Sequence, residues 1–289
     1  WAQLSAAVSI GLAWRQVRDR FRQAGLNTPE LDARLIAQHV FGLDAMALVR
    51  REREVMSPQW ATELERAALR RLAGEPVSRI IGEREFWGLR LALNEATLDP
   101  RPETELLVGD AIAFAEHKRS PRIADLGTGS GAIVIAILSA LPKARAFATD
   151  ISEPALAAAK ANAERHHVAD RVDFRLGPWW QAVPHQELFD LIVSNPPYIA
   201  REEIASLQPE VRLFDPKTAL DGGWDGLEAY RAIASQAARR LNPGGLLLLE
   251  IGANQGETVS RIFSRAGFGR IEVQKDLAGL DRLVLASHS

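Results

Sequence analysis

Apolar strand segments and helical segments alternate from Arg122 to Ala286, and this alternation restricts the fold more than any other feature of the sequence. The strand segments show no regular polar alternation, which is expected when helices cover both faces of a sheet. Strands that alternate with helices form parallel sheets through crossover connections. The pattern therefore predicts a doubly wound, Rossmann-like α/β domain with a mostly parallel sheet of seven strands.

The predicted elements of this domain can be placed along the chain. The seven strands are expected at residues 122–126, 144–150, 172–176, 189–194, 246–251, 270–274 and 282–286. Helices are expected at residues 132–140, after the capping residue Ser152, and at residues 227–241 and 256–266. A further helix through Leu106 and Ala113 precedes the first strand.

The part of the chain before this domain has a different pattern. Residues 1–85 are predicted to form a small helical domain, with helices that begin at Thr28-Pro29, after Asp44 and at Ser57-Pro58. Residues 86–99 alternate apolar and polar side chains and predict a hairpin connector. The α/β domain then occupies residues 100–289, and the helical domain is interpreted as a substrate-recognition or packing unit.

The composition excludes several classes of function. The formal net charge of −2 does not direct the chain to nucleic acid or to an anionic membrane. The absence of cysteine excludes disulfides, cysteine-ligated zinc and a cysteine nucleophile. No apolar run reaches the roughly 18 residues of a membrane helix, and no signal-peptide pattern follows Trp1. We expect a cytoplasmic protein, a monomer, with no bound metal.

A glycine-rich turn follows the first predicted strand. Gly127, Gly129 and Gly131 come directly after Asp125-Leu126, and Asp150 ends the next strand. Glycine lets the backbone approach a ligand closely and adopt positive φ angles. Ligands of such sheets bind beyond the carboxyl ends of the strands. A carboxylate at Asp150 can there accept hydrogen bonds from both hydroxyls of a ribose.

Two cofactors compete for this turn. NAD sites prefer the spacing G-x-G-x-x-G, with the pyrophosphate at the helix N-terminus. Here the spacing is G-x-G-x-G, and Asp125 would repel a pyrophosphate but suits the amino-acid end of S-adenosylmethionine. The turn therefore favours S-adenosylmethionine over NAD, and a structural turn without a ligand is the third interpretation.

The segment Asn195-Pro196-Pro197-Tyr198 directly follows a predicted buried strand. An amide or aniline-like NH2 group carries two N–H donors, and the loop offers the Asn195 side-chain oxygen and the Pro196 carbonyl as acceptors. Proline has no backbone N–H and fixes φ, so no donor competes and the loop is pre-ordered. Tyr198 can stack on a flat group. The loop predicts a site that aims a planar nitrogen at a methyl donor, with a rigid structural turn as the alternative.

Together these residues resemble the HemK/PrmC family of protein-(glutamine-N5) methyltransferases. The resemblance covers nearly the whole chain from about Ala13. It includes the following segments: Leu31-Asp32-Ala33, Arg70-Arg71, Gly74-Glu75-Pro76-Val77, Gly82, Glu85-Phe86-Trp87-Gly88, Arg101-Pro102-Glu103-Thr104-Glu105, the glycine turn, Asp150, Asn195-Pro196-Pro197-Tyr198-Ile199, Leu220-Asp221-Gly222-Gly223 and Asp225-Gly226-Leu227. The Asn-Pro-Pro-Tyr loop is shared with adenine-N6 methyltransferases, but its combination with the Arg101–Glu105 segment and a helical N-terminal domain is more specific.

The resemblance implies a class I methyltransferase that modifies the glutamine of the Gly-Gly-Gln motif in peptide-chain release factors. S-adenosylmethionine would be converted to S-adenosylhomocysteine. The implied cofactor residues are Gly127, Thr128, Gly129, Ser130 and Gly131 along the methyl donor, Asp150 at its ribose, Trp179 by its adenine, and Asn195. The implied catalytic and substrate-binding residues are Asn195, Pro196, Pro197 and Tyr198.

Three features leave more than one interpretation. The family often has an acid before the tryptophan, but the segment Gly177-Pro178-Trp179-Trp180 has none. Adenine would then be recognised by stacking on Trp179 or by backbone groups. The alternative interpretation is that these tryptophans pack in the core. The Arg101–Glu105 segment places Arg101 or Glu103 near the mouth of the site, or it is a proline-bracketed helix start. His166-His167 is interpreted as a solvated helix end rather than a metal site.

Two other functions compete with glutamine methylation. An adenine-N6 nucleic-acid methyltransferase must extrude a base and bind phosphates, so it needs a basic groove or an added recognition domain. The charges here nearly balance, and no large insertion follows Tyr198, so stable nucleic-acid binding is not expected. A non-catalytic adaptor would have a broken glycine turn or reactive loop, and both are intact.

Overall fold

The computed structural model describes residues 8–288, so the expectation about the start of the chain at Trp1 lies outside the described residues. The helices are α1 (Ile10–Gln23), α2 (Pro29–Phe41), α3 (Ala45–Arg50), α4 (Pro58–Leu72), α5 (Val77–Ile81), α6 (Thr104–Ala115), α7 (Ala132–Ala140), α8 (Glu153–Arg165), α9 (Pro209–Phe214), α10 (Lys217–Leu220), α11 (Glu228–Arg240) and α12 (Gly256–Arg265). The strands are β1 (Glu83–Phe86), β2 (Leu89–Ala92), β3 (Arg122–Leu126), β4 (Arg145–Asp150), β5 (Val172–Leu176), β6 (Phe189–Ser194), β7 (Leu241–Glu250), β8 (Arg270–Lys275) and β9 (Asp281–Ser287).

The chain divides into two compact units, and the first ends at Gly82. It contains α1 to α5 around one apolar cluster, in which Phe21, Ile36 and Leu64 are fully buried. Helix α5 was not foreseen in the sequence, because its five residues carry too little periodicity to be recognised.

The helical unit also contains a buried ion pair. The guanidinium of Arg71 donates to the carboxylate of Asp32 at 2.7 Å, and both side chains are less than a tenth exposed. The hydroxyl of Thr28 donates to the other oxygen of Asp32, also at 2.7 Å. Thr28 therefore holds the N-cap position of α2 without capping the helix through its side chain, because its hydroxyl serves the ion pair.

The second unit begins with the hairpin of β1 and β2, which pair antiparallel from Glu83↔Ala92 to Phe86↔Leu89. The two turn residues Trp87 and Gly88 have φ angles of 52° and 72°, as in hairpin turns that match the twist of the strands. The hairpin therefore starts earlier than the expected residue 86, and Trp87 lies in the turn rather than in a strand.

A mixed sheet of seven strands forms the rest of the second unit, in the order β5-β4-β3-β6-β7-β9-β8. The first five strands are parallel, and β9 runs antiparallel to both β7 and β8. Apolar clusters cover both faces, one containing residues of α6 and α7 and the other residues of α11 and α12. The prediction of a doubly wound, mostly parallel seven-stranded sheet is confirmed.

Strand β7 is longer than predicted. It starts at Leu241, which pairs with Phe189, and its register shifts before Leu246 pairs with Leu191. Pro243-Gly244-Gly245 occupies this irregularity, which is where a residue without a ladder N–H is tolerated.

A buried asparagine connects the hairpin to the sheet. The side chain of Asn162 on α8 accepts from the N–H of Ala92 at 2.8 Å and donates to its carbonyl at 3.0 Å. Its amide also donates to the Ser130 carbonyl at 2.9 Å, so one side chain holds both the hairpin and the glycine-rich turn. Among residues 8–288, none of the helices combines the length and the apolar character that crossing a membrane requires.

Candidate active site

A cavity of about 530 Å³ opens at the carboxyl ends of β3, β4 and β6. This volume lies in the range of small-molecule sites. The predicted residues that line the cavity are Gly127, Thr128, Gly129, Ser130, Asp150, Trp179, Asn195 and Pro197. The predicted residues Gly131, Pro196 and Tyr198 are not part of its lining. Residues from three separate strand ends are thus brought together around one space.

The glycine-rich turn is held by the strand beside it. The backbone N–H groups of Gly127 and Thr128 both donate to the Thr149 carbonyl, at 2.8 and 2.9 Å. Gly131 then begins α7 with a φ of 82°, and a Cβ atom there would lie 2.7 Å from the Ile135 side chain and 3.2 Å from Ala159. The positive φ and the close approach of Ala159 on α8 therefore favour glycine at this position.

Asp125 is buried under this turn. It has no exposed surface, and burial raises the pKa of its carboxyl group to about 7. The Thr128 hydroxyl donates to the Asp125 carboxylate at 2.7 Å and opposes this increase, whereas the nearby Asp150 charge adds to it. When this carboxyl group is ionised, it puts negative potential next to the cavity wall.

Asp150 presents its carboxylate to the cavity from the end of β4. One oxygen accepts from the Gly129 N–H at 2.8 Å, and the other accepts from the Ser152 N–H at 2.9 Å. Burial raises the pKa of this carboxyl group, while the backbone donors oppose the change. Each carboxylate oxygen has a second lone pair, so the group can accept two further hydrogen bonds from a ligand.

The two neighbouring tryptophans have different environments. Trp179 lines the cavity, and its ring lies 3.3 Å from the position that a Cβ atom of Gly127 would take. Trp180 is buried, and its indole N–H donates to the Ile233 carbonyl at 2.7 Å. The core-packing interpretation thus holds for Trp180, while Trp179 packs against the second apolar cluster and also lines the cavity, where a ligand can contact it.

The segment after β6 is fixed by backbone contacts. The side chain of Gln255 donates to the Tyr198 carbonyl at 2.9 Å. A Cβ atom on Gly222 would lie 2.8 Å from the Pro197 carbonyl oxygen, so the Asp221–Gly226 turn packs directly on the loop backbone. The Tyr198 ring is half-buried and packs against the second apolar cluster. The loop is therefore a rigid wall of the cavity.

Asn195 has its side-chain amide directed at a neighbouring helix. Its Nδ2 atom donates to the hydroxyl oxygen of Thr104 at 3.2 Å, and that hydroxyl donates to Glu250 at 2.6 Å. Thr104 is the first residue of α6 and lines the cavity, and Glu250 is the last residue of β7. This network connects three elements that are far apart in sequence.

The Arg101–Glu105 segment contributes a residue other than those predicted. Neither Arg101 nor Glu103 lines the cavity, whereas Thr104 does. Arg101 instead donates to the Asp215 carboxylate at 2.5 Å, and Glu105 accepts from the Trp87 N–H at 2.9 Å. The segment thus works as a helix start with structural contacts, and its threonine is the residue placed at the site.

Glu250 and Thr104 were missed by the sequence analysis. Glu250 had a usable signal, because it is an acid at the end of the apolar run Leu246–Leu249, just as Asp150 and Asn195 follow their strands. Thr104 had a partial signal, because it lies in the Arg101–Glu105 segment expected near the mouth of the site, but nothing in the sequence distinguished it from Arg101 and Glu103.

The histidine pair lies away from the cavity. His166 is the C-cap residue of α8, and its Nε2 atom lies 2.8 Å from the Arg90 carbonyl oxygen. Within residues 8–288, no three histidine and acidic side chains come together in an arrangement that could hold a metal ion.

Two protein families match parts of the chain. Residues 13–82 match the PrmC N-terminal domain, and residues 102–211 match the methyltransferase small domain. The chain is 47% identical over 276 residues to the release factor glutamine methyltransferase of Cereibacter sphaeroides, which covers 95% of this chain and 96% of the relative. It is 46% identical to the protein of the same name from Bradyrhizobium diazoefficiens, over 96% of this chain and 94% of the relative.

Solved structures share the fold at low sequence identity. The hMettl16 catalytic domain in complex with a MAT2A 3′UTR hairpin is 17% identical, with a TM-score of 0.57. The superposition covers 80% of this chain and 82% of that domain. This likeness shows the fold alone.

The packing at Gly131 leads to a testable difference between two glycines. Gly131→Ala should lower the free energy of unfolding by about 2–4 kcal/mol, because it adds steric overlap to the cost of a positive φ. Gly129 also has a positive φ, of 56°, but no atom lies within 4 Å of its Cβ position. Gly129→Ala should therefore cost only about 1–2 kcal/mol. Urea denaturation of the full chain compares the two, and equal losses would contradict the packing explanation.

Proposed function

The chain belongs to the family of release factor glutamine methyltransferases, and from that premise we propose that it methylates the side-chain amide nitrogen of the glutamine in the Gly-Gly-Gln motif of peptide-chain release factors. It is a methyltransferase whose methyl donor is S-adenosylmethionine. The observation that carries the proposed target is that Asn195 and Pro197 of the acceptor-rich loop line the same cavity as Asp150 and the glycine turn.

The residues of the cavity fit S-adenosylmethionine. When bound, this cofactor supplies an electrophilic methyl group on a sulfonium sulfur. In the proposed arrangement the backbone of Gly127 to Gly131 lies along the donor, and Asp150 accepts hydrogen bonds from the two ribose hydroxyls. Trp179 offers its ring to the adenine in place of the missing acid. Support comes from the second lone pairs of the Asp150 oxygens and from the absence of a side chain at Gly127 and Gly129, which both line the cavity.

The Asn195 side-chain oxygen and the Pro196 carbonyl would accept the two N–H bonds of the glutamine amide. Hydrogen bonds of this kind contribute only about 0.5–1.5 kcal/mol each. Holding two reactants in line can lower a barrier by about 7–11 kcal/mol. The loop therefore acts mainly by aiming the nitrogen, and the rigid contacts of Gln255 and Gly222 support that role.

An acceptor-only site also explains the choice of glutamine. A glutamate side chain is a carboxylate at neutral pH and has no N–H or O–H group. It could therefore donate to neither loop acceptor, and its negative oxygens would be repelled by the acceptor oxygens. No general base is required before transfer, because the methylated amide nitrogen carries a positive charge and then loses its proton readily. The stacking role of Tyr198 has weaker support, since its ring packs against the second apolar cluster.

The helical unit is proposed to recognise the release factor outside its glutamine. Residues 13–82 match the PrmC N-terminal domain, and the cavity in the second unit is formed without them. A release-factor substrate favours action in the cytoplasm, and we further propose that the chain acts as a monomer without stably bound nucleic acid.

A methyl-transfer assay with labelled S-adenosylmethionine tests this function. The three substrates are a purified release factor, the same factor with its Gly-Gly-Gln glutamine changed to alanine, and a DNA duplex. Label is expected on the intact factor alone. Equal label on both factors would indicate another protein target, and label on the duplex would indicate adenine methylation.

The proposed ribose contact predicts a selective loss of donor affinity. Asp150→Ala should weaken S-adenosylmethionine binding by at least about 100-fold, because it removes two hydrogen bonds to a charged group that contribute about 1.5–3 kcal/mol each. Calorimetry measures the affinity. Asp173→Ala is the matched control, since it removes an acid from the neighbouring strand that pairs with Arg175 at the surface. Equal affinities for the Asp150 variant and the unaltered chain would exclude the ribose role.

A further inference from the structure

Glu250 is a buried carboxylate that takes no direct part in the proposed methyl transfer. Its exposed fraction is 1%, and that of Thr104 is 3%. The Thr104 hydroxyl donates to the carboxylate at 2.6 Å. A hydrogen bond to an ionised group is short and strong, and a buried carboxylate without one is costly. This bond therefore determines where the single hydroxyl proton of Thr104 points.

The direction of this proton and the Glu250 carboxylate together determine the orientation of the Asn195 amide, because Asn195 also hydrogen-bonds directly to Glu250. A hydroxyl has one proton, so once Thr104 donates to Glu250, its oxygen can only accept from Asn195. The oxygen and the NH2 group of a carboxamide have similar shapes, so their hydrogen-bond partners determine which of the two positions each occupies. The atom of Asn195 that lies 3.2 Å from Thr104 must then be the donor Nδ2. The acceptor Oδ1 is turned away from Thr104.

We propose that Glu250 and Thr104 are positioning residues that hold the Asn195 carboxamide with its oxygen, and not its NH2 group, directed at the substrate amide. The inference rests on the proposed function and deepens it. The target nitrogen carries two N–H groups, so a reversed Asn195 would place donors against donors and could not hold it. The orientation of one amide thus decides whether the loop can aim the nitrogen.

The charges around Glu250 make this device sensitive to pH. Burial raises the pKa of Glu250 to about 7, hydrogen bonds from Thr104 and Asn195 and the charge of Arg282 oppose the increase, and Glu103 adds to it. The phenols that face the same region are Tyr198 and Tyr230, and Tyr230 donates to the Glu250 backbone carbonyl at 3.0 Å. Of the charged neighbours, Arg282 lies on β9 and Glu103 directly precedes α6.

The sign of the pH effect follows from the hydrogen bonds. Above the pKa of Glu250, its carboxylate accepts and the amide of Asn195 is held in the productive direction. Below it, the protonated carboxyl group can donate to Thr104, whose own proton is then free to turn to Asn195 and favour the reversed amide. The turnover rate should therefore fall as the pH decreases through the pKa of Glu250.

The test is a double-mutant cycle in the full chain, with turnover measured on intact release factor at saturating S-adenosylmethionine. Thr104→Val should lower kcat by up to about 100-fold, because it misdirects the group that positions the substrate. Donor affinity, measured by calorimetry, should change little. Thr104→Ser keeps the hydroxyl and should restore most of kcat. In an Asn195→Ala background, Thr104→Val should lower kcat by less than about threefold further, since it acts through the missing side chain.

Each alternative result has a distinct meaning. An additive loss in the cycle, or equal slowing by Thr104→Val and Thr104→Ser, would overturn the positioning role and indicate a packing role. An active unaltered chain whose Asn195→Ala variant is slow, while Thr104→Val is fully active, would overturn the inference alone. No methylation of the release-factor glutamine by the unaltered chain would overturn the proposed function and this inference with it.

A pH profile tests Glu250 itself. In the unaltered chain, kcat should decrease on the acid side of about pH 7, the pKa of Glu250. Glu250→Gln cannot ionise, so it should be slow at every pH and should lose this acid-side decrease. If Glu250→Gln keeps the same pH profile as the unaltered chain, another group titrates and the role of Glu250 is overturned.

Discussion

The parallel pairing of β3, β4, β6 and β7 is the constraint on which the rest of the structure depends, because it places the ends of these strands along one edge of the sheet. Each strand brings a polar group to that edge, from Asp125, Asp150, Asn195 and Glu250. The register makes the last two neighbours, because Ser194 pairs with Leu249 and the next residue of each strand follows in step. Strand pairing alone therefore brings the polar residues of the site close together.

Several carboxylates are buried along this edge of the sheet. Burial raises the pKa values of Asp125 and Glu250 to about 7 and also raises that of Asp150. Each of these acids has a donor close by, from Thr128, from Thr104 or from backbone N–H groups. Such groups destabilise a fold unless they are satisfied, and they cluster at functional sites. The free-energy cost of burying these carboxylates thus falls on the part of the chain that binds ligand and substrate.

Most of the fold could be predicted from the sequence, because continuous apolar strands alternate with helices of clear periodicity. Strand β3 and helix α7 have the predicted bounds. The differences arise where tertiary contacts outweigh local pattern. Helices α9 and α10 have six and four residues, too few for a periodic signal. The hairpin turn falls at Trp87-Gly88, because the pairing of β1 with β2 outweighs the simple alternation around Trp87.

The residues of the site, like the elements of the fold, include some that the sequence predicts and some that it does not. Residues at strand ends, such as Asp150 and Asn195, could be found in the sequence, because an edge of a parallel sheet is a known meeting place. The contact of Thr104 with Glu250 could not, since 146 residues separate the two and only the packing of α6 brings them together; the sequence located only the Arg101–Glu105 segment. The rigid loop and the contact between Thr104 and Glu250 both hold the hydrogen-bond acceptors for the substrate in place. Two weak hydrogen bonds can aim a nitrogen only if their acceptors do not move, so most of what makes the loop effective must lie outside it.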